Sequence, residues 1–393
     1  MLNSIKSAHE SYAAEGGITG YDKRMNICIV VPYFTPYVRG NEYGLAESLT
    51  KLGYDVTIIA SKGKAPREVK KEFSGEFGFK VKYLPTILDI GENPIVYGLN
   101  LKGCDVVLLQ EDYSFICHKA YAEAKKYGIK TILSLVRGYY PKGYKGLFLK
   151  LFDQLKNKEL REGADVLTAR CSATKDFMEK ELEVKREIEI MYSGVDTDLF
   201  KPLSEPSGKY LAEGGFKILT IARLHKYKGL EYLIEAMQFL RDQMPEVKLY
   251  MLGKGPEEKN LKNLVKRLGL ESEIEFLQRS IPNYEMPFLY RECDIYVQPS
   301  LIEPYGIAVL EAMACGKPVI GTKVGGMTDT IKDGETGFLV EPGNAKELAD
   351  RISVLKDENK RAEMGTRARE WVVENFDWMV IGKKYQEVIR ELV

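Results

Sequence analysis

Short continuous apolar runs alternate along this chain with longer stretches in which apolar residues recur every three or four positions. The short runs are typical of buried strands and the longer period is typical of amphipathic helices. In the first half, the predicted strands are 27–31, 56–60, 81–84, 106–109, 130–133 and 166–168. The predicted helices between them are 42–52, 115–126, 147–160 and 173–182.

The second half repeats the same alternation. Its predicted strands are 217–221, 248–251, 274–277, 294–297, 318–320 and 338–340. Its predicted helices are 230–240, 257–268, 307–314 and 345–355. Apolar strands that alternate with helices indicate parallel sheets covered on both faces. The sequence therefore predicts an α/β protein with two doubly wound, Rossmann-like domains.

The domain boundaries are predicted where this pattern breaks. Residues 1–24 are rich in small polar residues, so we expect a disordered tail ahead of a natural start at Met25. We expect an N-terminal domain over 25–200 and a C-terminal domain over 201–376. The stretch 193–215 is rich in Pro and Gly and is the predicted linker.

The C-terminal end predicts two closing helices within 361–393. Asp377 has the residue type of an N-cap for the last one, and Trp378 is expected to pack at its start. In two-domain proteins of this kind the final helix, here 377–393, can return to the first domain. Because open α/β sheets bind ligands at the carboxyl ends of their strands, we expect the site in the cleft between the domains.

Composition narrows the possible functions. The 393 residues carry 57 Lys plus Arg and 57 Asp plus Glu, so no basic surplus favours nucleic acid. The six cysteines are scattered without a Cys-x-x-Cys pair, which favours free buried thiols and a reducing, cytoplasmic location. With only three histidines, a histidine metal centre is not expected. The chain also has no apolar stretch long enough for a membrane span.

The strongest chemical signal is an acidic pair around a predicted helix start. Glu303 stands in a loop after a strand, and Glu311 follows within the helix that opens near Gly306. Carboxylates accept paired hydrogen bonds from vicinal hydroxyls, and the first amides of a helix bind anions. Those amides belong to Gly306, Ile307 and Ala308. Glu303 or Glu311 alone would be typical of a solvated surface residue. The prediction of a binding site depends on both acids and the helix amides together.

A basic loop supplies the second half of this pattern. Arg223 and Lys228 lie between a strand and a helix, where both can reach a diphosphate at the strand's carboxyl end. Each charge-assisted hydrogen bond contributes about 1.5–3 kcal/mol. Two of them supply a large share of the roughly 5–7 kcal/mol that underlies a dissociation constant between about 10 μM and 1 mM.

Two further patterns resemble other sites. The Asp-x-Asp at 196–198 could hold a metal ion, but it lies in the predicted linker, where Asp more often shapes turns. Gly253-Lys254-Gly255 begins like a dinucleotide motif, but its third glycine is absent because position 258 is Glu.

In this order, the basic loop, the stretch at 253–256, the Glu303–Glu311 segment and Val324-Gly325-Gly326 resemble glycosyltransferase family 4. The resemblance covers nearly the whole chain and is strongest over 164–343. It implies a GT-B fold and transfer of a hexose-type sugar from a nucleoside-diphosphate sugar with retention. It also implies a front-face reaction without a protein nucleophile, and we predict neither a metal ion nor another cofactor.

The resemblance also implies roles for individual residues. Arg223 and Lys228 would bind the diphosphate, Glu303 the transferred sugar and Glu311 the ribose. The remaining predicted donor contacts in the second domain are Gly253, the stretch from Arg279 to Ile281 beside the base, and the amides of Gly306, Ile307 and Ala308.

The first domain departs from the family pattern in two loops. Relatives carry a Gly-Gly pair after the first strand, whereas this chain has Gly40 followed by Asn41. Relatives place a His-Gly after a middle strand, whereas this chain has Arg137-Gly138. We predict that Gly40 and Arg137 contact the donor, because Arg stabilises phosphate charge although it cannot act as a base.

The segment 139–158 combines aromatic, apolar and lysine residues. Leu147, Leu151 and Leu155 recur every four positions, and Lys142, Lys145, Lys150, Lys156 and Lys158 surround them. The first expectation is a helix that faces the core. The alternative is a basic amphipathic helix on an anionic membrane, at the inner face of the membrane.

Three functions remain open at this stage. The first is a glycosyltransferase acting on a glycan or lipid-linked acceptor. The second is a sugar-nucleotide-binding protein with weak or no turnover, favoured by the altered first-domain loops. The third is a GT-B sugar-nucleotide epimerase, which the basic loop disfavours.

Overall fold

Two parallel sheets form the frame of the protein. The structure, a computed structural model, describes residues 24–35, 40–63, 77–90, 93–141, 143–202 and 208–393. The first sheet has seven strands in the order β3-β2-β1-β6-β7-β8-β9, and every pair is parallel. Its strands are β1 (Asn26–Val30), β2 (Asp55–Ser61), β3 (Lys80–Leu84), β6 (Val106–Gln110), β7 (Lys130–Leu135), β8 (Val166–Ala169) and β9 (Glu189–Ile190). A separate antiparallel hairpin joins β4 (Thr86–Asp89) to β5 (Pro94–Val96).

The second sheet has six strands in the order β12-β11-β10-β13-β14-β15, again all parallel. Its strands are β10 (Phe216–Ile221), β11 (Val247–Leu252), β12 (Ile274–Leu277), β13 (Ile295–Gln298), β14 (Val319–Thr322) and β15 (Gly337–Val340). Each sheet has a buried apolar cluster on either face, which is why its strands are apolar throughout.

Helices cover both sheets. In the first half they are α1 (Asn41–Lys51), α2 (Phe115–Tyr127), α3 (Tyr144–Phe152), a π-helical turn (Asp153–Asn157), α4 (Lys158–Gly163) and α5 (Ser172–Lys180). In the second half they are α6 (Leu230–Leu240), α7 (Glu258–Leu268), α8 (Met286–Glu292), α9 (Ile307–Ala314), α10 (Met327–Thr330) and α11 (Ala345–Val354). The chain closes with α12 (Glu358–Phe376) and α13 (Trp378–Leu392).

The predicted fold class is confirmed, and every predicted strand and helix has a counterpart. Four short features were not predicted from the sequence: the β4–β5 hairpin, β9, α8 and α10. The predicted tail lies outside the described residues up to residue 23, as does the part of the predicted linker at 203–207.

The last helix returns to the first domain, as predicted. The Asp377 side chain accepts a hydrogen bond from the amide of Met379 at 2.7 Å, which confirms Asp377 as the N-cap of α13. Helix α13 then packs on α1, and Ile381, Tyr385 and Ile389 join the buried cluster of the first domain. Trp378 packs against the same cluster at the start of the helix.

The two chain segments that cross between the domains lie side by side. The amide of Val195 donates to the carbonyl of Phe376 at 2.8 Å, and the amide of Trp378 donates to the carbonyl of Val195 at 3.3 Å. The Thr197 hydroxyl also donates to the Asp377 carboxylate at 2.5 Å. The outgoing and returning crossings are therefore bonded to each other.

The helical face predicted over 147–160 does not point into the core. Leu147, Leu151 and Leu155 are exposed, and so is Phe148. The π-helical turn instead buries polar residues, Asp153 and Asn157, in an ionic network. The first expectation for this segment, a core-facing apolar helix, is therefore wrong. Within the described ranges, no helix combines the length and apolarity needed to cross a bilayer.

The cysteines divide into two groups. Cys28 on β1 and Cys104, just before β6, form a disulfide between neighbouring strands. Cys117, Cys171, Cys293 and Cys315 are free and buried. The expectation of free buried thiols is therefore wrong for one pair. Spacing along the sequence gave no sign of it, because 76 positions separate the two residues.

Candidate active site

The cleft between the two sheets holds a cavity of about 630 Å³, in the size range of small-molecule sites. The loops that line it follow the carboxyl ends of strands in both domains. Nine of the twelve predicted site residues lie on its wall: Gly40, Arg223, Lys228, Gly253, Glu303, Gly306, Ile307, Ala308 and Glu311.

Glu303 and Lys228 form an ion pair on the cavity wall. Their Oε2 and Nζ atoms are 2.6 Å apart, and both side chains are largely buried. Gln298 and Ser300 also donate to Oε2, at 3.3 and 3.2 Å. All three donors reach the same oxygen, which leaves Oε1 without a hydrogen bond from any described residue. Glu303 is thus a fixed carboxylate with capacity for a further donor.

Backbone contacts explain why this acid and this lysine meet. The amides of Leu301 and Ile302 both donate to the carbonyl of Tyr227, which joins the Lys228 loop to the Glu303 loop. Gly325 packs closely against the Glu303 loop. A Cβ at Gly325 would lie 1.6 Å from the carbonyl oxygen of Glu303, so only glycine fits there.

Gly306 turns the chain into helix α9. Its φ is +94°, a left-handed conformation that favours glycine. The next amides, from Ile307 and Ala308, are in the first turn of the helix and have no intrahelical acceptor. Both residues line the cavity, so the positive end of the helix dipole is at its wall.

Glu311 lies just over one turn into α9, and its side chain is partly buried at the cavity wall. Burial raises the pKa of this carboxyl from the ordinary 4.5 to about 7, and a hydrogen bond from Tyr290 acts in the opposite direction. The Tyr290 hydroxyl donates to Oε2 at 2.6 Å and is itself fully buried. The site therefore contains a carboxyl whose charge changes near neutral pH.

Three cations line the same wall. Arg223 and Lys228 come from the loop between β10 and α6, and Lys254 follows the adjacent strand β11. Within the described part of the chain, neither Arg223 nor Lys254 has a carboxylate within ion-pair distance. Lys254 has no predicted role from the sequence. Because carboxyl ends of parallel neighbours meet at one edge of a sheet, the strand pattern alone could have placed it beside Arg223.

The stretch from Arg279 to Ile281 is not on the cavity wall. The Arg279 guanidinium lies over the Tyr210 ring at 5.7 Å, and Ile281 packs against the core of the second domain. Asn283 and Met286, slightly further along, line the cavity instead. The loop predicted beside the base therefore reaches the cleft two residues later than expected.

Arg137 is not brought to the cavity either. Its guanidinium binds Asp153 through two hydrogen bonds of 2.7 and 2.8 Å and contacts Asp112 at 3.2 Å. Arg161 joins the same two aspartates, and all four side chains are buried. A guanidinium held by two buried carboxylates has a structural role, so the structure gives no support to Arg137 as a donor contact.

The first domain contributes other residues to the cleft. Gly40 and Asn41 lie on its wall, whereas residues 36–39 of the same loop are outside the described ranges. Tyr139, two residues after Arg137, also lines the cavity, and its pKa is raised mainly by burial and also by Tyr227 across the cleft. The loop after β7 therefore presents a phenol to the second domain, two residues after Arg137.

The Asp-x-Asp at 196–198 shapes a turn. One Asp196 oxygen accepts hydrogen bonds from the amides of Asp198 and Leu199, at 3.2 and 2.9 Å. Among the described residues, no group of three or more His, Cys, Asp or Glu side chains is placed to hold a metal ion. Positive charge at this cleft comes instead from arginine, lysine and helix amides, which suits an anionic ligand with hydroxyl groups.

Two family models match the chain, one on each half. The model described as Glycosyltransferase Family 4 matches residues 43–199. The model described as Glycosyl transferases group 1 matches residues 205–371, which hold most of the cavity wall. The chain belongs to glycosyltransferase family 4. It is a glycosyltransferase, and it uses nucleotide sugars as the members of this group do.

The curated relatives of this glycosyltransferase have names that describe different reactions. A GDP-mannose-dependent alpha-(1-6)-phosphatidylinositol monomannoside mannosyltransferase of Mycolicibacterium smegmatis is 25% identical over 86% of this chain and 90% of its own length. An N-acetyl-alpha-D-glucosaminyl L-malate synthase of Bacillus anthracis is 31% identical over 59% of this chain and 61% of its own. A D-inositol 3-phosphate glycosyltransferase of an Arthrobacter species is 33% identical, and this chain spans about half of its length, 47%.

Solved structures agree on the fold. Sucrose-phosphate synthase from Thermosynechococcus elongatus superposes with a TM-score of 0.75 at 20% identity, over 94% of this chain and 99% of that one. Anabaena HepE in complex with UDP and glucose gives a TM-score of 0.72 at 21% identity, over 94% and 100%. The glycosyltransferase described here has the GT-B fold.

Proposed function

We propose that this glycosyltransferase transfers a hexose-type sugar from a nucleoside-diphosphate sugar to a hydroxyl acceptor, with retention and without a metal ion. The proposal rests on Arg223, Lys228 and Lys254, which line the same cavity as the α9 amides and the carboxyls of Glu303 and Glu311. The HepE complexes are titled with UDP, glucose and UDP-glucose, which supports a donor of this class.

In this proposal the diphosphate lies between Arg223, Lys254 and the first amides of α9. Fixed cations and amide dipoles stabilise the negative charge that develops as the nucleoside diphosphate departs. Glu311 accepts hydrogen bonds from the ribose hydroxyls, and Glu303 accepts them from hydroxyls of the sugar. Arg223, Lys254 and the first amides of α9 then offset the negative charge of the diphosphate, as a divalent cation does in other transferases.

The transfer itself needs no protein nucleophile. The bond from the anomeric carbon to the phosphate oxygen breaks, and the acceptor oxygen bonds to that carbon on the same face. The acceptor proton passes to the departing phosphate oxygen, so atoms and charge balance. Glu303 supports this reaction as a fixed charge: three donors hold its Oε2, and its Oε1 is left to accept a hydrogen bond from a hydroxyl of the sugar.

The acceptor is proposed to be a glycan or a lipid-linked glycan. The mycobacterial relative, which matches over 90% of its length, is named for a phosphatidylinositol-linked acceptor. The exposed apolar residues between 147 and 155, with Lys150, Lys156 and Lys158 beside them, support contact with an anionic membrane surface as part of this proposal.

Incubation with UDP- and GDP-linked hexoses tests the proposal, with nucleoside diphosphate release as the first readout. We expect release with at least one donor, unchanged when EDTA is present, and an axial or equatorial linkage that matches the donor anomer by NMR. An inverted anomer would refute retention, and a strict requirement for added Mg²⁺ or Mn²⁺ would refute metal independence. Donor binding without release favours the binding-protein alternative, and a C2-inverted sugar nucleotide favours the epimerase.

A further inference from the structure

The first domain carries two exposed apolar patches. On the β4–β5 hairpin, the side chains of Ile87, Leu88, Ile90 and Tyr97 are between 52 and 68% exposed. On α3 and the π-helical turn, Leu147, Phe148, Leu151 and Leu155 are between 57 and 73% exposed. Single exposed apolar residues are ordinary, but grouped ones mark interaction surfaces.

Helix α2 joins the two patches. Asn93, beside the hairpin turn, donates to the carbonyl of Tyr113 and accepts from the amide of Phe115, at 2.7 and 2.8 Å. On its other side, the Phe115 ring meets the Phe152 ring edge-on, with centroids 6.0 Å apart. The hairpin and α3 therefore flank the start of α2 on either side, as parts of one surface.

This surface lies at the rim of the cleft. The hairpin follows the carboxyl end of β3, α2 follows that of β6, and α3 follows that of β7. The carboxyl ends of parallel strands share one edge of a sheet, and here that edge faces the cavity. Tyr139, between β7 and α3, lines the cavity and links the two regions directly.

Lysines are the main exposed ionic side chains beside the helical patch, and the exposed acid Glu159 follows directly after Lys158. Over 146–158 the exposed ionic side chains are Lys150, Lys156 and Lys158. The single acid in that stretch, Asp153, is buried and bound to Arg137 and to Arg161. Lys158 is partly offset by Glu162 at 3.6 Å, whereas Lys156 has no carboxylate partner among the described residues. Leucine and phenylalanine bordered by lysine match the chemistry of an anionic phospholipid surface.

We infer that the hairpin and the α3 face dock together on an anionic phospholipid bilayer. Docking there holds the mouth of the cleft at the level of the lipid headgroups, so that the acceptor hydroxyl reaches the donor from the membrane. The part that concerns the acceptor rests on the proposed transferase function; docking itself does not depend on it.

Co-sedimentation of the full chain tests this, with vesicles of phosphatidylcholine containing phosphatidylglycerol and with phosphatidylcholine alone. Binding is expected to require the anionic lipid and to weaken as salt rises. Leu151→Ser and Ile87→Ser are each expected to weaken binding about tenfold, the scale of one aliphatic side chain left in water. Lys156→Gln is expected to weaken it about fivefold.

Matched controls come from the second domain. Phe239→Ser removes an exposed apolar side chain, and Lys360→Gln removes an exposed lysine; both variants are expected to bind vesicles like the wild type. Donor affinity is measured on every variant and is expected to be unchanged. If no donor is bound or turned over while vesicle binding persists, the proposed function fails and the docking surface stands.

The hairpin variant is the decisive one, because Ile87 lies on a different element from the lysines. If Ile87→Ser co-sediments with anionic vesicles as well as the wild type does, the hairpin is not part of the docking surface and the proposal fails. Absence of wild-type binding to the anionic vesicles would overturn it entirely. A dimer in sedimentation velocity that Leu151→Ser dissociates would also overturn it, since a second copy would then cover this face.

Discussion

The pH dependence of donor binding should follow the charge of Glu311. This carboxyl is partly buried on α9, and burial raises its pKa to about 7. Ribose hydroxyls donate to it most strongly when it is ionised. Donor binding at neutral pH or below must therefore release a proton from this residue, whereas above that range the carboxylate is already present.

The expected size follows from the ionised fraction. Between about pH 8 and about pH 6, that fraction falls from about nine tenths to about one tenth, so donor affinity should fall about tenfold. Glu311→Gln keeps the shape, removes the titration and loses the charge on one hydrogen-bond acceptor. It should weaken binding at high pH by a factor of about 10 or more and leave little pH dependence.

Glu311→Gln, which should weaken donor binding, should at the same time stabilise the folded protein. Because the folded-state pKa of Glu311 is raised above 4.5, the folded protein holds a proton that the unfolded chain has released between about pH 4.5 and 7. Stability therefore falls as pH rises through that window, by up to about 3 kcal/mol from this group. Glu311→Gln should remove this loss and raise the free energy of unfolding at about pH 8.

Isothermal titration calorimetry with a nucleotide sugar suits the measurement, since a diphosphate diester does not itself titrate in this range. Two buffers of different ionisation enthalpy give the number of protons released. Donor affinity that changes by less than about twofold over the range would refute the argument, as would undiminished affinity in Glu311→Gln. Any pH dependence that survives the substitution belongs to another group.

Three further outcomes are expected. Lys254→Gln should weaken donor binding about fivefold in the same calorimetric assay, while Lys266→Gln, a lysine outside the cleft, should not; equal affinities would remove Lys254 from the site. Arg137→Ala should lower the free energy of unfolding by about 3–5 kcal/mol in urea denaturation, because it leaves two buried carboxylates short of a partner. The control is Arg367→Ala, which removes an exposed ion pair and should change stability little. An Arg137→Ala protein of wild-type stability would contradict a stabilising role for the buried ionic network. Thiol titration of the denatured, unreduced protein should find four thiols of the six cysteines, whereas six would exclude the disulfide.

Much of the fold could be predicted because the signals are local. Each parallel strand is a continuous apolar run, and the order of Arg223, Lys228, Glu303 and Glu311 places them at strand ends that meet in space. Cleft residues such as Lys254 could have been predicted in the same way, because they also follow the carboxyl ends of these parallel strands.

What could not be predicted depends on partners distant in sequence. Arg137 looks like a phosphate ligand until Asp112 and Asp153 are brought to it by the β6 and α3 segments. The face containing Leu151 has the period of a core helix, because periodicity shows that a stripe exists and not what covers it. The pairing of Cys28 with Cys104 likewise depends on β1 and β6 becoming neighbours.

The bonded crossings at Val195 and Asp377 have a mechanical consequence. Two separate tethers far apart would hold the domains rigidly, and a single one would let them twist freely. Here the outgoing and returning strands form one narrow hinge, with backbone hydrogen bonds of 2.8 and 3.3 Å across it. Relative rotation about that line strains neither crossing, whereas sliding or twisting breaks the bonds between them. The C-terminal helix thus limits how the cleft can open, although it lies outside the cleft along most of its length.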